Sequence, residues 1–261
     1  MTNPTFYSGA INAGECIGNA WNLVTRQFWL YIGIGFLTML MVSCIPCLHY
    51  FLLGPVLGGF YFVVLRDMRS EPIEFGMLFK GFEKFVKLMA VGLIQAIPGI
   101  IGEGFRITVN IADVFTRGRR GGPRSTDFLL QSNGLPAVLA GVGLIVIIII
   151  AIVLILFAIA WGITFFFALP IAMETDLSVG DSIKLSARAG WGNIGGLIVL
   201  FILSFLIVLA GVLAICLGIF VAVPVIYAAN AFAYRQVFPL LNSNPGYQPP
   251  PAYGSSFGSG L

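Results

Sequence analysis

The segment "CIPCLH" places Cys44 and Cys47 two residues apart, with Pro46 between them and His49 close by, and no other stretch of the chain suggests chemistry so directly. A pair at this spacing can close a strained disulfide and exchange it with another thiol. Outside the cytoplasm such a bond persists. The dithiol signature ordinarily accompanies a thioredoxin-like βαβ pattern, which is absent. Membrane enzymes that generate disulfides add a second exposed pair, where this chain has a lone Cys216 and a distant Cys16. Cys44 and Cys47 are therefore read as a structural disulfide or as small apolar packing residues, with a membrane thiol oxidoreductase as the second alternative function. Cys44, Cys47, Cys216 and His49 could supply four zinc ligands only if two distant segments adjoin, whereas tetrahedral sites usually draw closely paired ligands. No metal and no cofactor is expected.

The second cluster is basic. "RGRRGGPR" holds Arg117, Arg119, Arg120 and Arg124. Each could attract an anionic head group with about 1 kcal/mol near a charged surface, although the Gly and Pro content equally fits a solvated loop. No phosphate-binding glycine loop, nucleophile triad or zinc-protease motif accompanies it. The expected spans contain no Asp, Glu, Lys, Arg or His, which disfavours an ion-coupled transporter. The polar residues within them, Thr38, Gln95, Thr164, Ser204 and Asn230, are expected to join helices by hydrogen bonds. Gly58 with Gly59, and Gly195 with Gly196, are read as close helix contacts. The chain is expected not to be an enzyme.

What must position these residues is a set of membrane helices. Of 261 residues, 58% are hydrophobic and 10% charged, and the mean hydropathy is +0.97. A soluble domain carries about a quarter charged residues. Charge-free runs extend over 27–65, 88–102, 128–173 and 189–234, and a crossing needs about 20 apolar residues. Several runs thus hold more than one span. The fourteen basic and eleven acidic residues, net +3, lie outside the runs, so the charge describes loops and membrane surfaces and no nucleic-acid partner is expected.

The fold class expected is all-α: a polytopic bundle of about six spans with short interfacial amphipathic helices and a duplicated helical hairpin. The duplication is carried by "CLHYFLLGPVLGGFYFVVLR" and "CLGIFVAVPVIYAANAFAYR", in which Cys47, Leu48, Phe51, Pro55, Val56 and Arg66 match Cys216, Leu217, Phe220, Pro224, Val225 and Arg235. Upstream of each lies a segment that could be amphipathic, "GECIGNAWNLVTRQF" and "GDSIKLSARAGWGNI". Arg26, Arg66 and Arg69 flank the first hairpin while Lys184, Arg188 and Arg235 flank the last, so the positive-inside tendency places both termini in the cytoplasm. Between the hairpins, 88–102 is read as a short span with a break at Pro98-Gly99, or equally as a re-entrant segment. The run 135–173 is too long for one straight crossing at 1.5 Å per residue. It is read as one span with a bend at Gly162 that lays "ITFFFALPIAME" along the interface or against other helices. The loop 103–134 between them is as basic as any segment and resists an outside placement.

No basic leader with a cleavage site opens the chain. Residues 1–241 form the expected integral membrane domain, and 242–261, rich in Pro, Gly, Ser and Tyr, an expected disordered tail. The stretches "NAWNLVTRQFWLYIG", "LLGPVLGGFYFVVLRDMR", "MLFKGFEKF" and "LPIAMETDLSVGDSIKLSARAGWGN" resemble bacterial multi-pass membrane families similar to the membrane domain that some glycerophosphodiester phosphodiesterases carry ahead of their catalytic barrel. The resemblance extends to about Phe238 and includes Pro170, Glu174 and Ser186. It implies a bacterial inner-membrane module without an assigned activity. The catalytic barrel is missing, so no enzymatic residue carries over. The function expected is structural, scaffolding or accessory to envelope and lipid processes, with a passive transporter or lipid-handling module as the alternative. The partners expected are the bilayer and other membrane proteins or a second copy.

Overall fold

The structure, a computed structural model, describes residues 6–43, 49–119, 135–213 and 218–239. In chain order these form α1 (Ala13–Arg26), α2 (Phe28–Ser43), α3 (His49–Met68), a 3-10 helix (Phe75–Lys84), α4 (Phe85–Arg119), α5 (Leu135–Phe165), α6 (Ala168–Glu174), α7 (Val179–Gly192), α8 (Ile194–Leu213) and α9 (Ile219–Val237). All regular structure among the described residues is helical, the form in which an apolar segment satisfies its own backbone in lipid. Among the described residues four stretches are long and apolar enough to cross a membrane: Tyr50–Met68, Phe75–Gly104, Ile148–Glu174 and Ile194–Leu213. A fifth is counted if α1 and α2, bent by 103°, act as one span. The chain is thus a helical membrane protein. Two of the six expected crossings fall short by length and composition. α2 has only 16 residues, and α9 carries Asn230, Arg235 and Gln236 within its 19.

The chain divides into two compact units, Met1–Ile94 with Ile163–Leu261, and Gln95–Gly162. The second contains most of α4 and α5. Here two expectations are corrected. Pro98 lies inside α4 without ending it, because the single backbone bond a proline removes can be compensated within a membrane helix. Residues 103–119, expected as loop, continue that helix; Ile107 and Ile111, one turn apart, both stand exposed along it.

In the first unit two stretches are built alike. α1 begins at Asn12, whose Oδ1 accepts from the Glu15 N–H at 3.2 Å. α7 begins at Ser178, whose Oγ accepts from the Asp181 N–H at 3.1 Å. Each cap satisfies a first-turn donor and is followed by an acid that suits the helix N-terminus. Each helix runs 14 residues and stops at a single amide residue, Gln27 or Asn193, before the next helix begins. Counted from the caps, four buried positions coincide, Cys16, Ala20, Leu23 and Val24 in α1 with Ser182, Ser186, Ala189 and Gly190 in α7, while Ala13 is buried in α1 alone. Both amphipathic segments expected from the sequence are present. Pro55 and Pro224 lie inside α3 and α9, and Arg66 and Arg235 fall in the last turn of each.

The break between α5 and α6 falls at Phe166 and Phe167, not at Gly162. Pro170 explains the shift, since it has no N–H and its ring would meet the Phe166 carbonyl in a continuous helix. The buried Ser186 repairs the break: its Oγ accepts from the Phe167 N–H at 3.1 Å and donates to the Thr164 carbonyl at 2.8 Å. All residues from Ala168 to Met173 are buried, so of the two placements expected for this segment it takes the one against other helices and not the interface. Gly58 is a close contact as expected, since a Cβ there would lie 2.6 Å from Leu88 Cδ1. Gly196 faces Ile11 equally closely, whereas Gly195 meets nothing within 4 Å and is not a contact residue.

Candidate functional site

The charged side chains of the first unit collect where α3 ends. Ser70, at φ 57°, takes the left-handed position after the helix. The Ser70 N–H donates to the Asp67 carbonyl at 2.9 Å and the Glu71 N–H to the Arg66 carbonyl at 3.2 Å, the pair of bonds that closes a Schellman turn. This turn folds Glu71 back so that its carboxylate meets Arg66 Nε at 2.9 Å and Arg69 Nε at 2.8 Å.

Two buried carboxylates stand on either side. Asp67, 2% exposed, is ion-paired with Arg26 of α1. It also accepts from Tyr31 Oη at 2.8 Å and from Gln27 Nε2 at 3.4 Å. Glu174, the last residue of α6 and 6% exposed, is ion-paired with Arg235, accepts from Tyr234 Oη at 2.8 Å and lies 3.6 Å from Arg69 Nη1. Both carboxylates sit at helix C-termini, where the helix dipole opposes them, so only tertiary partners hold them there. Beyond Glu174, Lys84 Nζ donates to the carbonyls of Met173 and Thr175 at 3.2 and 3.3 Å and to Asp176 at 2.9 Å. That bond, together with the Lys84 charge, holds the exposed Asp176 carboxyl below the usual aspartate range.

Between these groups lies a recess of about 240 Å³. Phe62, Leu65 and Met173 form its apolar lining, Arg69, Lys80 and Lys84 its cations, and Glu83 and Glu174 its carboxylates. Lys80 and Glu83 pair with each other while remaining 49% and 64% exposed. The arrangement can hold helices together and can receive an anion. It offers no nucleophile beside a base.

Of the residues singled out in the sequence, Cys44, Cys47, Cys216, Arg120 and Arg124 lie outside the described residues. Arg117 and Arg119 belong to the last turn of α4, and His49 opens α3. Thr164 joins helices as expected, through Ser186 and through Trp191 Nε1 at 3.1 Å. The buried Oγ atoms of Thr38 and Ser204 have no hydrogen-bond partner among the described residues, and neither does Gln95 Oε1. Sequence reasoning gives Asp67, Lys80 and Lys84 no role and takes Arg69 only as a flank of the first hairpin. Asp67 alone offers a signal, a carboxylate directly at the end of an apolar run, where it requires a cation from elsewhere. No protein-family model, no curated protein and no solved structure matches this chain.

Proposed function

We propose that the chain is a non-enzymatic inner-membrane module with a structural or accessory role in envelope and lipid processes. One observation carries this reading. Its two buried carboxylates, Asp67 and Glu174, each engage an arginine and a tyrosine from other helices. A proton relay needs an acid free to change partners across a path, whereas these acids fasten helix ends. The resemblance to phosphodiesterase membrane domains points the same way.

The architecture proposed for this role is a repeated unit: a capped 14-residue helix along the inner interface, a one-residue hinge, and a hairpin returning through a proline to an arginine. Matching caps, hinges and buried positions in α1 and α7 support it. With α4 and α5 crossing between the repeats, six spans result and both termini are cytoplasmic. An impermeant thiol reagent applied to intact cells should then label single-cysteine variants retaining Cys47 or Cys216 and the variant Ser125→Cys; labelling at Cys47 alone would invert the final hairpin.

The role is tested in reconstituted vesicles. The scaffold reading expects solute and proton flux equal to that of protein-free vesicles. Flux that disappears in Asp67→Asn would overturn it in favour of transport.

A further inference from the structure

The recess beside Glu174 combines features that a helix fastener does not require. Three cations from two segments, Arg69 beyond α3 and Lys80 and Lys84 of the 3-10 helix, are among its lining residues. Of the two carboxylates present, Glu174 is already neutralised by Arg235. Glu83 engages Lys80 in an exposed pair, an interaction weak enough to open for a competing anion. Lys84 is held in place by two main-chain carbonyls, and its one acidic partner, Asp176, is 98% exposed. Arg69 is itself engaged by Glu71 at 2.8 Å and lies 3.6 Å from Glu174, so the positive excess of the recess rests on Lys80 and Lys84 beside an apolar lining.

The same 3-10 helix carries a second feature. At three residues per turn, side chains three apart eclipse one another, and Phe79, Phe82 and Phe85 form a ladder with ring centroids 6.0 and 6.1 Å apart. Phe75 and Phe79 are 45% and 48% exposed, and Val86 is 73% exposed. Exposed apolar side chains flanked by lysines suit the boundary between head groups and acyl chains. Cations beside an aromatic face at that level match a lipid whose phosphate is anionic and whose chains are apolar.

We propose that the recess formed by Arg69, Lys80 and Lys84 binds the phosphate of an anionic membrane phospholipid, with its acyl chains lying over the Phe79, Phe82 and Phe85 ladder. The site stands apart from the scaffold reading, because lipid retention and solute flux are separate readouts. The full chain, purified in detergent, is offered phosphatidylglycerol or phosphatidylcholine and examined by native mass spectrometry. Phosphatidylglycerol should be retained preferentially. Lys80→Gln, a change at a half-exposed position, should weaken that retention about fivefold, the effect of one cation near such a head group. Lys184→Gln removes the same charge from the exposed surface of α7 and should leave retention unchanged. Equal retention of the two lipids, or equal losses in the two variants, would overturn the proposal. Displacement of the lipid by millimolar glycerol 3-phosphate would overturn the lipid source and assign the phosphate site to a soluble ester.

Discussion

Asp67 and Glu174 carry the same kind of anchor at different depths. Each is a nearly inaccessible carboxylate held by an arginine and a tyrosine, yet Arg26 is 54% exposed and Arg235 only 10%. Tyr234 is fully buried and packs on Phe238 and Phe167 at 5.2 and 6.3 Å. An arginine with half its surface in water can turn outward when its partner is lost. One enclosed by helices cannot, and its uncompensated charge then opposes folding. The contrast teaches that the resistance of a buried ion pair to mutation depends on whether the surviving partner can reach solvent.

The sharpest way to break this comparison is Glu174→Gln, which leaves Arg235 enclosed. A loss of about 3–5 kcal/mol is expected, measured as thermal unfolding in nanodiscs, and the double variant Glu174→Gln with Arg235→Met should recover a substantial part of it. Additive losses would mean that the pair is not coupled. Asp67→Asn should cost less, about 1–3 kcal/mol, since Tyr31 loses a charged acceptor while Arg26 rehydrates. A cost equal to that of Glu174→Gln would remove the role assigned to solvent access.

Smaller effects sharpen the geometry between the two anchors. Ser70→Gly relieves the left-handed strain at the turn that presents Arg69 to Glu174, and should stabilise by about 0.5–1 kcal/mol after the added chain entropy is counted. A loss of stability would show that the Ser70 side chain contributes to the turn. The smallest effect belongs to the exposed Asp176. Because its folded carboxyl is held low, its contribution is complete above the ordinary aspartate value near 3.9 and vanishes as pH falls through the folded value. The midpoint difference between the wild type and Asp176→Asn should therefore be level from neutral pH to about 5 and close below about 4. A difference that persists in stronger acid would exclude the Lys84 pairing as its source.

Much of the helical plan was legible because it rests on local pattern. The membrane class follows from long uncharged runs, and α1 and α7 follow from two stretches with amphipathic spacing, while their caps at Asn12 and Ser178 emerge only in the structure. Pro98 misled because a proline marks a break only where its lost bond cannot be compensated. Pro170 was the true break residue, but its effect lies four residues upstream, at Phe166. The anchors were invisible for a different reason. Arg26 and Asp67, or Glu174 and Arg235, are separated by 41 and 61 positions, and no spacing rule links a carboxylate to an arginine that tertiary packing brings to it. The recess shared that fate, since Arg69 and Glu174 meet only after α6 has packed on α3.

The repair at Phe167 has a consequence for how the chain is made. The hydroxyl that accepts the Phe167 N–H belongs to a residue 19 positions later. At roughly 5–20 residues per second, Ser186 is added about one to four seconds after Phe167. Until Ser186 packs against it, the broken segment has an unsatisfied donor that is costly in hydrocarbon. The settling of α5 and α6 in lipid is therefore coupled to α7, and one serine ties two neighbouring segments together during assembly.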